Sequence, residues 1–529
     1  MTDDLTAEER DRVAPYVTDV DGPVFALTNL PEVVKGALFA RYSRSPKSLR
    51  RLLLDEFLPP QAAAPTGAAD TGAAKADALY DRVLAEYGDD SVAQLGGAHI
   101  AVEGASNLLT KVLEWGRIAS YLEQSTRYIR LDDKPGGEYR YYRPAAVLAD
   151  PALGKAYTQT IDHAFDTYAE LIPLMVEHLD GVVPSDPDTP PAARERAVRA
   201  HALDALRGLL PAATRANVGI FASGQAFEAM LIRMQASPLP EARECGEAML
   251  RELRKVIPAF FTRTDRPDRG GRYARYMQAN ADAVAEVTER ILGTPPREAD
   301  GPDVRLVDFD LDGEAYVVAH ALWPNSGMAL EDVRRAAEDL SPTDHAAVLA
   351  AYVGDRADRR ERPGRAFEAT TYTFEVVCDY GAYRDLQRHR MLTLQAQPLT
   401  ADLGYDIPPE VQDAGLADRY GAAQARCAEL FGMLRERFPA EASYAVTLAH
   451  RIRFTMQMNA REAIHLIELR SQPQGHTTYR RVAQEMHRLI REEAGHTAIA
   501  EAMTFVDRSA PAAGRLAAET RQETRSQGR

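Results

Sequence analysis

Four groups of residues in this 529-residue chain have the types and spacing to grip phosphate. Arg388, His389 and Arg390 are consecutive. Arg127 closes the run Glu123-Gln124-Ser125-Thr126-Arg127. Arg207 opens Arg207-Gly-Leu-Leu-Pro211. Asn459, Arg461, His465 and Arg470 share one segment. An arginine fork binds phosphate through paired charge-assisted hydrogen bonds that lysine cannot copy. Arg461 and His465, four apart, share one face of a helix. Arg470 lies nine residues beyond Arg461, about half a turn out of phase, and Pro473 ends the helix soon after it. That leaves Arg470 free to turn toward the same site or to serve a neighbouring one. Each group alone has a blander reading. Arg388-His389-Arg390 could be a solvated basic helix end, Glu123–Arg127 a capping sequence, and Arg207 and Arg470 ordinary surface residues.

The joint pattern reverses that balance. Around residue 120 the chain reads Arg117-Ile-Ala-Ser120-Tyr-Leu-Glu123-Gln124-Ser125-Thr-Arg127-Tyr128, and around residue 390 Gln387-Arg388-His389-Arg390-Met-Leu-Thr393. Overlapped, they give RHR-x-x-S-x-x-E-Q-S-x-R-Y, which resembles the signature of the flavin-dependent thymidylate synthase (ThyX) family. Neither copy is whole. Trp115-Gly116-Arg117 stands where RHR should, and Ala396, Pro398 and Thr400 stand where Glu, Ser and Arg should. The loss is complementary again downstream. The Arg-x-x-Leu-Pro block survives at Arg207, with Ser443 at the matching place. The Asn-x-Arg-x-x-x-His block survives at Asn459, with Ser223 at its counterpart.

The resemblance implies two tandem copies of an α+β fold with a mixed sheet and long packed helices. The first copy (1–293) keeps the uridylate-binding Glu123, Gln124, Ser125, Arg127 and Arg207. The second (304–510) keeps the flavin-binding Arg388, His389, Arg390, Asn459, Arg461 and His465 and the catalytic-type Arg470, which would also touch the pyrimidine. It implies FAD as cofactor, NADPH and methylenetetrahydrofolate as co-substrates, and dUMP methylated to dTMP without an enzyme nucleophile. Family members are tetramers with shared sites, so a homodimer of this double-length chain would form a pseudo-tetramer. Departures from the family pattern are Asp89-Asp-Ser91 in place of its His, Asp385 in place of its Gln, and Pro398. A non-catalytic flavin- or nucleotide-binding paralogue, and a flavin enzyme acting on another nucleotide, are the alternatives.

The elements that must position these residues read as follows. Short strands are expected at Val24–Leu27, Val304–Val307 and Thr370–Cys378, with Ala98–Glu103 in the first copy matching the last. Helices are expected at Arg194–Leu209, Phe221–Met234, Glu241–Val256, Leu416–Arg437 and Ala445–Arg470. Residues 294–303, with two prolines and a Gly-Pro, form the linker. Residues 58–75 read as a flexible loop and 511–529 as a flexible tail.

Composition narrows the function classes. A net charge of −15 argues against a large nucleic-acid surface. No apolar run approaches the roughly 20 residues of a membrane span, and the acidic start has no apolar signal region. Cys245, Cys378 and Cys427 are few and far apart, which suits the cytoplasm and no cysteine-based metal site. Glu462-Ala-Ile-His465 and Glu493-Ala-Gly-His496 have the spacing of di-iron bundle ligands. Charged helices generate that spacing by chance, so no metal is assigned.

Overall fold

The computed structural model describes residues 5–42, 45–58, 94–182, 190–293, 301 and 303–509. Most of the 58–75 loop, most of the 294–303 linker, the tail and Asp89 lie outside these. The chain forms two compact units that cut across its sequence halves. The first comprises residues 1–105, 112–123 and 217–295; the second comprises 106–111, 124–216 and 296–529.

The first unit carries a three-stranded sheet made from β1 (Gly97–Ser106), β2 (Ala119–Glu123) and β3 (Arg215–Ser223), in the order β1-β3-β2. In β3, Ala216, Val218, Ile220 and Ala222 are buried and alternate with exposed Arg215, Asn217, Gly219 and Phe221. That is the period of a half-buried strand. The helix expected over Phe221–Met234 therefore starts later, at Gly224, where the Ser223 side chain accepts from the Ala226 amide. The strand expected at Val24–Leu27 is reduced to one bridge, Leu27 to Val17. Val24 is exposed, so no apolar face holds a longer pairing.

The second unit carries β4 (Val304–Phe309), β5 (Thr371–Asp379), β6 (Thr393–Ala396) and β7 (Arg451–Asn459), in the order β4-β5-β7-β6. Every pairing in this sheet is antiparallel, where a mixed sheet was expected. The reason lies in the central pair. Asp379 at the end of β5 faces Arg451 at the start of β7, so the two strands run in opposite directions and the helices leaving them depart from opposite ends of the sheet. The order β5-β7-β6 repeats β1-β3-β2, and in each sheet a helix follows the first and third of these strands along the chain. This is the topological mark of the duplication.

The long helix expected over Ala445–Arg470 is half strand. Ile452, Phe454, Met456 and Met458 point inward in β7, and only Ala460–Arg470 is helical. Four helices of this unit position the site: α1 (Pro191–Leu206), α2 (Tyr380–Leu386), α3 (Ala460–Arg470) and α4 (Thr477–Glu492). As the proline spacing implies, α3 ends at Arg470. Two others, Pro151–Val182 and Ala417–Arg435, pack side by side although they come from different sequence halves.

The halves are also stitched through their backbones inside this unit. The Ala212 amide donates to the Val446 carbonyl (2.7 Å), Leu448 to Leu210 (2.9 Å) and Ala449 to Gly208 (3.1 Å). These segments follow Arg207 and its counterpart Ser443. A Cβ on Gly208 would collide with the Tyr420 hydroxyl, so the close approach requires glycine there.

Candidate functional site

Two guanidiniums flank one carboxylate in the second unit, and two more act on it through their charge. Asp385, buried on α2, has Oδ2 3.6 Å from Nη2 of Arg207 and Oδ1 3.9 Å from Nη1 of Arg470. Arg207 starts the single turn that extends α1, and Arg470 is the last residue of α3. Arg127 follows β2 through Gln124 and Ser125, whose Oγ accepts from the Arg127 amide at 3.2 Å. Its Nη1 donates to the Tyr479 hydroxyl at 3.3 Å, and the Arg470 guanidinium lies 5.4 Å from the centre of the same ring. Tyr479 thus braces two arginines, one from each sequence half. Arg388, exposed just after α2, completes the set. Burial alone would raise the Asp385 carboxyl, but Arg207, Arg127, Arg470 and Arg388 outweigh it and hold it well below the usual range.

Beside Arg470 lies an imidazole group. Arg470 Nε donates to His389 Nε2 at 2.9 Å, so the proton of neutral His389 sits on Nδ1 and donates to Glu462 Oε1 at 3.0 Å. Burial, then Arg470 and Arg362, push His389 far below its ordinary value. Burial likewise pushes His465 down to about 4, so both rings are neutral at neutral pH. The two ring centres are 5.3 Å apart. Arg362 donates to His465 Nε2 at 3.2 Å. His389, Glu462 and His465 offer ligand atoms within 4.8 Å of one another. Both imidazoles already accept from a guanidinium, however, and those lone pairs are what a metal would need. The second Glu-x-x-His motif is also engaged elsewhere, with His496 Nδ1 2.7 Å from the Tyr372 hydroxyl.

The other sequence-selected residues are more dispersed. Arg461 donates to the Pro363 carbonyl at 2.8 Å and to Glu368 at 3.3 Å, which directs it to the 362–368 segment that also meets His465. The Asn459 side chain accepts from the Glu462 amide at 2.9 Å and caps α3, so it serves its own helix. Arg390 is half-buried in the turn after α2, and Glu123 is buried at the end of β2 in the first unit.

Sequence reasoning missed Asp204, Asp379, His476 and Tyr479. Arg207 Nε lies 3.4 Å from Asp204 Oδ1, three residues earlier on α1, a spacing that could have flagged the pair. His476 bridges Asp204 (Nδ1, 3.2 Å) and Asp379 (Nε2, 3.7 Å) across a long sequence gap with no local signal. Asp204, Asp379 and His476, with Arg207, Tyr420 and Thr478, line part of a cavity of about 300 Å³.

Burial and Arg207 would lower the His476 pKa, but Asp204 and Asp379 win and raise it to about 9. A raised folded pKa stabilises fully below the unfolded value near 6.5 and is lost as pH rises through about 9. Thermal unfolding should therefore show stability falling by about 3 kcal/mol from pH 6.5 to 9.5. His476→Gln should flatten that slope. An unchanged slope in the variant would contradict the charged bridge.

Comparison with known proteins adds the family context. The chain matches the family model described as thymidylate synthase complementing protein twice, over residues 39–259 and 305–495. It is 39% identical to a UPF0159 protein of Chlamydia muridarum over 98% of this chain and 99% of that one. It is 30% identical to a flavin-dependent thymidylate synthase of Mycobacterium sp. (strain JLS), over 35% of this chain and 69% of that one. Among solved structures, a UMP/dUMP methylase from Streptomyces cacaoi bound with 5-Br dUMP aligns at 19% identity. It covers 39% of this chain and 97% of its own, with a TM-score of 0.30, too slight a likeness to build on. Among the described residues no helix is long and apolar enough to cross a membrane.

Proposed function

The chain belongs to the thymidylate synthase complementing protein family, and from that premise we propose that it binds dUMP and FAD and forms dTMP by reductive methylation, using NADPH and methylenetetrahydrofolate. The observation that carries this reading is the meeting of Arg127 and Arg207, from one sequence half, with Arg388 and Arg470, from the other, around Asp385 in one compact unit. That meeting supports reading Arg127, Arg207, Arg388 and Arg470 as parts of one site.

In this reading Arg127 and Arg207 hold the nucleotide phosphate, with Gln124 and Ser125 completing the uridylate side. Arg470 lies against the pyrimidine and stabilises negative charge that develops on N3 and the ring carbonyls. Its aim is fixed by a relay: Glu462 holds the His389 tautomer whose Nε2 accepts from Arg470 Nε. The donor set also suits a dinucleotide. Arg388, Arg390 and Arg461 bring several guanidinium forks to the turn after α2 and the first turn of α3, the chemistry that a diphosphate requires. His465 would lie on the flavin side, with His389 and Asn459 serving it indirectly, His389 by holding Arg470 and Asn459 by capping α3. When bound, FAD reduced by NADPH supplies the hydride that completes the methyl group carried in by methylenetetrahydrofolate. No side chain is asked to be a nucleophile. Burial pushes the Cys427 thiol up to about 12 and Cys378 well above its usual value, so neither offers a thiolate. A homodimer of chains would reproduce the family's tetrameric arrangement.

The test is optical. The purified protein should take up FAD and turn yellow, and dUMP should perturb its visible spectrum; a protein that takes no FAD contradicts the reading. Arg388→Ala and Arg461→Ala should each weaken FAD binding by about 1.5–3 kcal/mol, read by fluorescence titration. Arg117→Ala, in the degenerate copy, should do much less, and equal losses from all three would overturn the assignment.

A further inference from the structure

The helix Gly270–Leu292 belongs to the first unit and lies between the two stretches that match the family model, residues 39–259 and 305–495. Its 23 residues make a rod of about 34 Å. Only Gly270 and Ala274 in it are buried, and every residue from Gln278 to Leu292 is exposed. A helix that is polar all round can stand in water that way, but this one is amphipathic. At about 100° per residue, Tyr273, Tyr276, Met277, Val284, Val287 and Ile291 fall within one arc of about 100°. Asn280 is the one polar residue inside that stripe. Tyr276 is 60% exposed, and Val284 and Ile291 are each 65% exposed. An isolated helix of this length is marginal in water, so the apolar stripe calls for a cover. Charge identifies the cover. The first half of the helix carries Arg272 and Arg275 and no acid, an excess of two positive charges. From Asp282 onward it carries Asp282, Glu286 and Glu289 against Arg290, an excess of two negative charges. Arg275 also donates to the Pro267 carbonyl at 2.6 Å, which leaves its charge in place. Arg272 in the first turn opposes the helix's own dipole, so this distribution does not serve the helix alone.

We propose that this helix is an interaction surface for a second copy of the chain, and that the two helices pair antiparallel about a two-fold axis at Asn280. Antiparallel pairing sets each basic half against an acidic half, whereas parallel pairing sets like charge against like. In this register Tyr273 of one copy meets Val287 of the other, and Tyr276 meets Val284. The two Asn280 side chains face each other, and a polar pair inside an apolar seam fixes register at some cost in stability. The same patch serves on both copies, so the pair closes on itself. The surface lies outside the residues that match the family model and does not depend on the nucleotide reading of the arginine cluster.

Cross-linking of the full-length chain with a short bis-maleimide tests this. Burial raises the native thiols, Cys245 to about 12, so an introduced exposed cysteine reacts first. Asn280→Cys should give a species of twice the chain mass, beyond any seen with the unmodified chain. Leu292→Cys should not, because in the antiparallel pair the two copies of residue 292 stand about 36 Å apart. In the Asn280→Cys chain, Arg272→Glu should lower the cross-linking yield several-fold at low salt, and adding Glu289→Arg should restore it. All of these positions are exposed, so the variants should keep the fold, which circular dichroism checks. Light scattering that shows a monomer overturns the proposal. So does a dimer whose Asn280→Cys form stays unlinked, because another surface or another segment of this chain then covers the stripe. Linkage at both 280 and 292 means parallel pairing and also overturns it. Failure of Glu289→Arg to restore the yield overturns the charge match on which the orientation rests.

Discussion

Arg470→Ala should lower the rate of dTMP formation by about 10²–10³-fold, the usual effect of removing one preorganised donor from developing charge. The geometry motivates the size of this effect. Arg470 is held by His389 at 2.9 Å, lies over Tyr479 and faces Asp385, so its direction is fixed before ligand arrives. A group already in place need not reorganise during reaction. Arg470→Lys keeps a charge but loses the fork and the Nε bond, and should recover little. A single-turnover assay with an unchanged rate in Arg470→Ala would remove Arg470 from the chemistry.

Arg356→Ala should destabilise the protein by about 3–5 kcal/mol, the range for breaking a buried ion pair from one side. Arg356 and Glu468 are 4% and 1% exposed and meet through two parallel hydrogen bonds of 2.8 and 2.7 Å. Arg356 also donates to the carbonyls of Ala502 (3.0 Å) and Glu361 (2.7 Å). Without it, Glu468 remains as an uncompensated carboxylate on α3, one turn or less before Arg470. Arg488 is the contrast: its pairs with Glu485 and Glu492 are exposed, and Arg488→Ala should cost less than about 1 kcal/mol. Urea denaturation compares the two, and similar midpoints would refute the account of the buried pair.

The arginines were legible in the sequence because residue type and local spacing carry their chemistry, and because what one copy lacks the other keeps. Much of the scaffold was less legible. Met456, Gln457 and Met458 suit a helix as well as a strand, and β7 runs directly into α3, so strand and helix merged into one expected element. The alternation Ile452, Phe454, Met456, Met458 was the signal that separates them. Val24–Leu27 had the opposite fault, an apolar run without a partner to pair with. In the site, Asp204, Asp379, His476 and Tyr479 stayed hidden because their partners are brought close only by the fold. Asp385 was visible as a departure from the family pattern, but its place among the arginines was not, since nothing local in α2 announces Arg207 or Arg470.

Residues from both sequence halves are proposed to form one nucleotide site, and titration calorimetry of the flavin-loaded protein with dUMP decides it. One nucleotide should bind per chain, two in a chain dimer, with binding strongly weakened by Arg127→Ala and equally by Arg470→Ala. Two nucleotides per chain, or binding that survives either substitution unchanged, would contradict it.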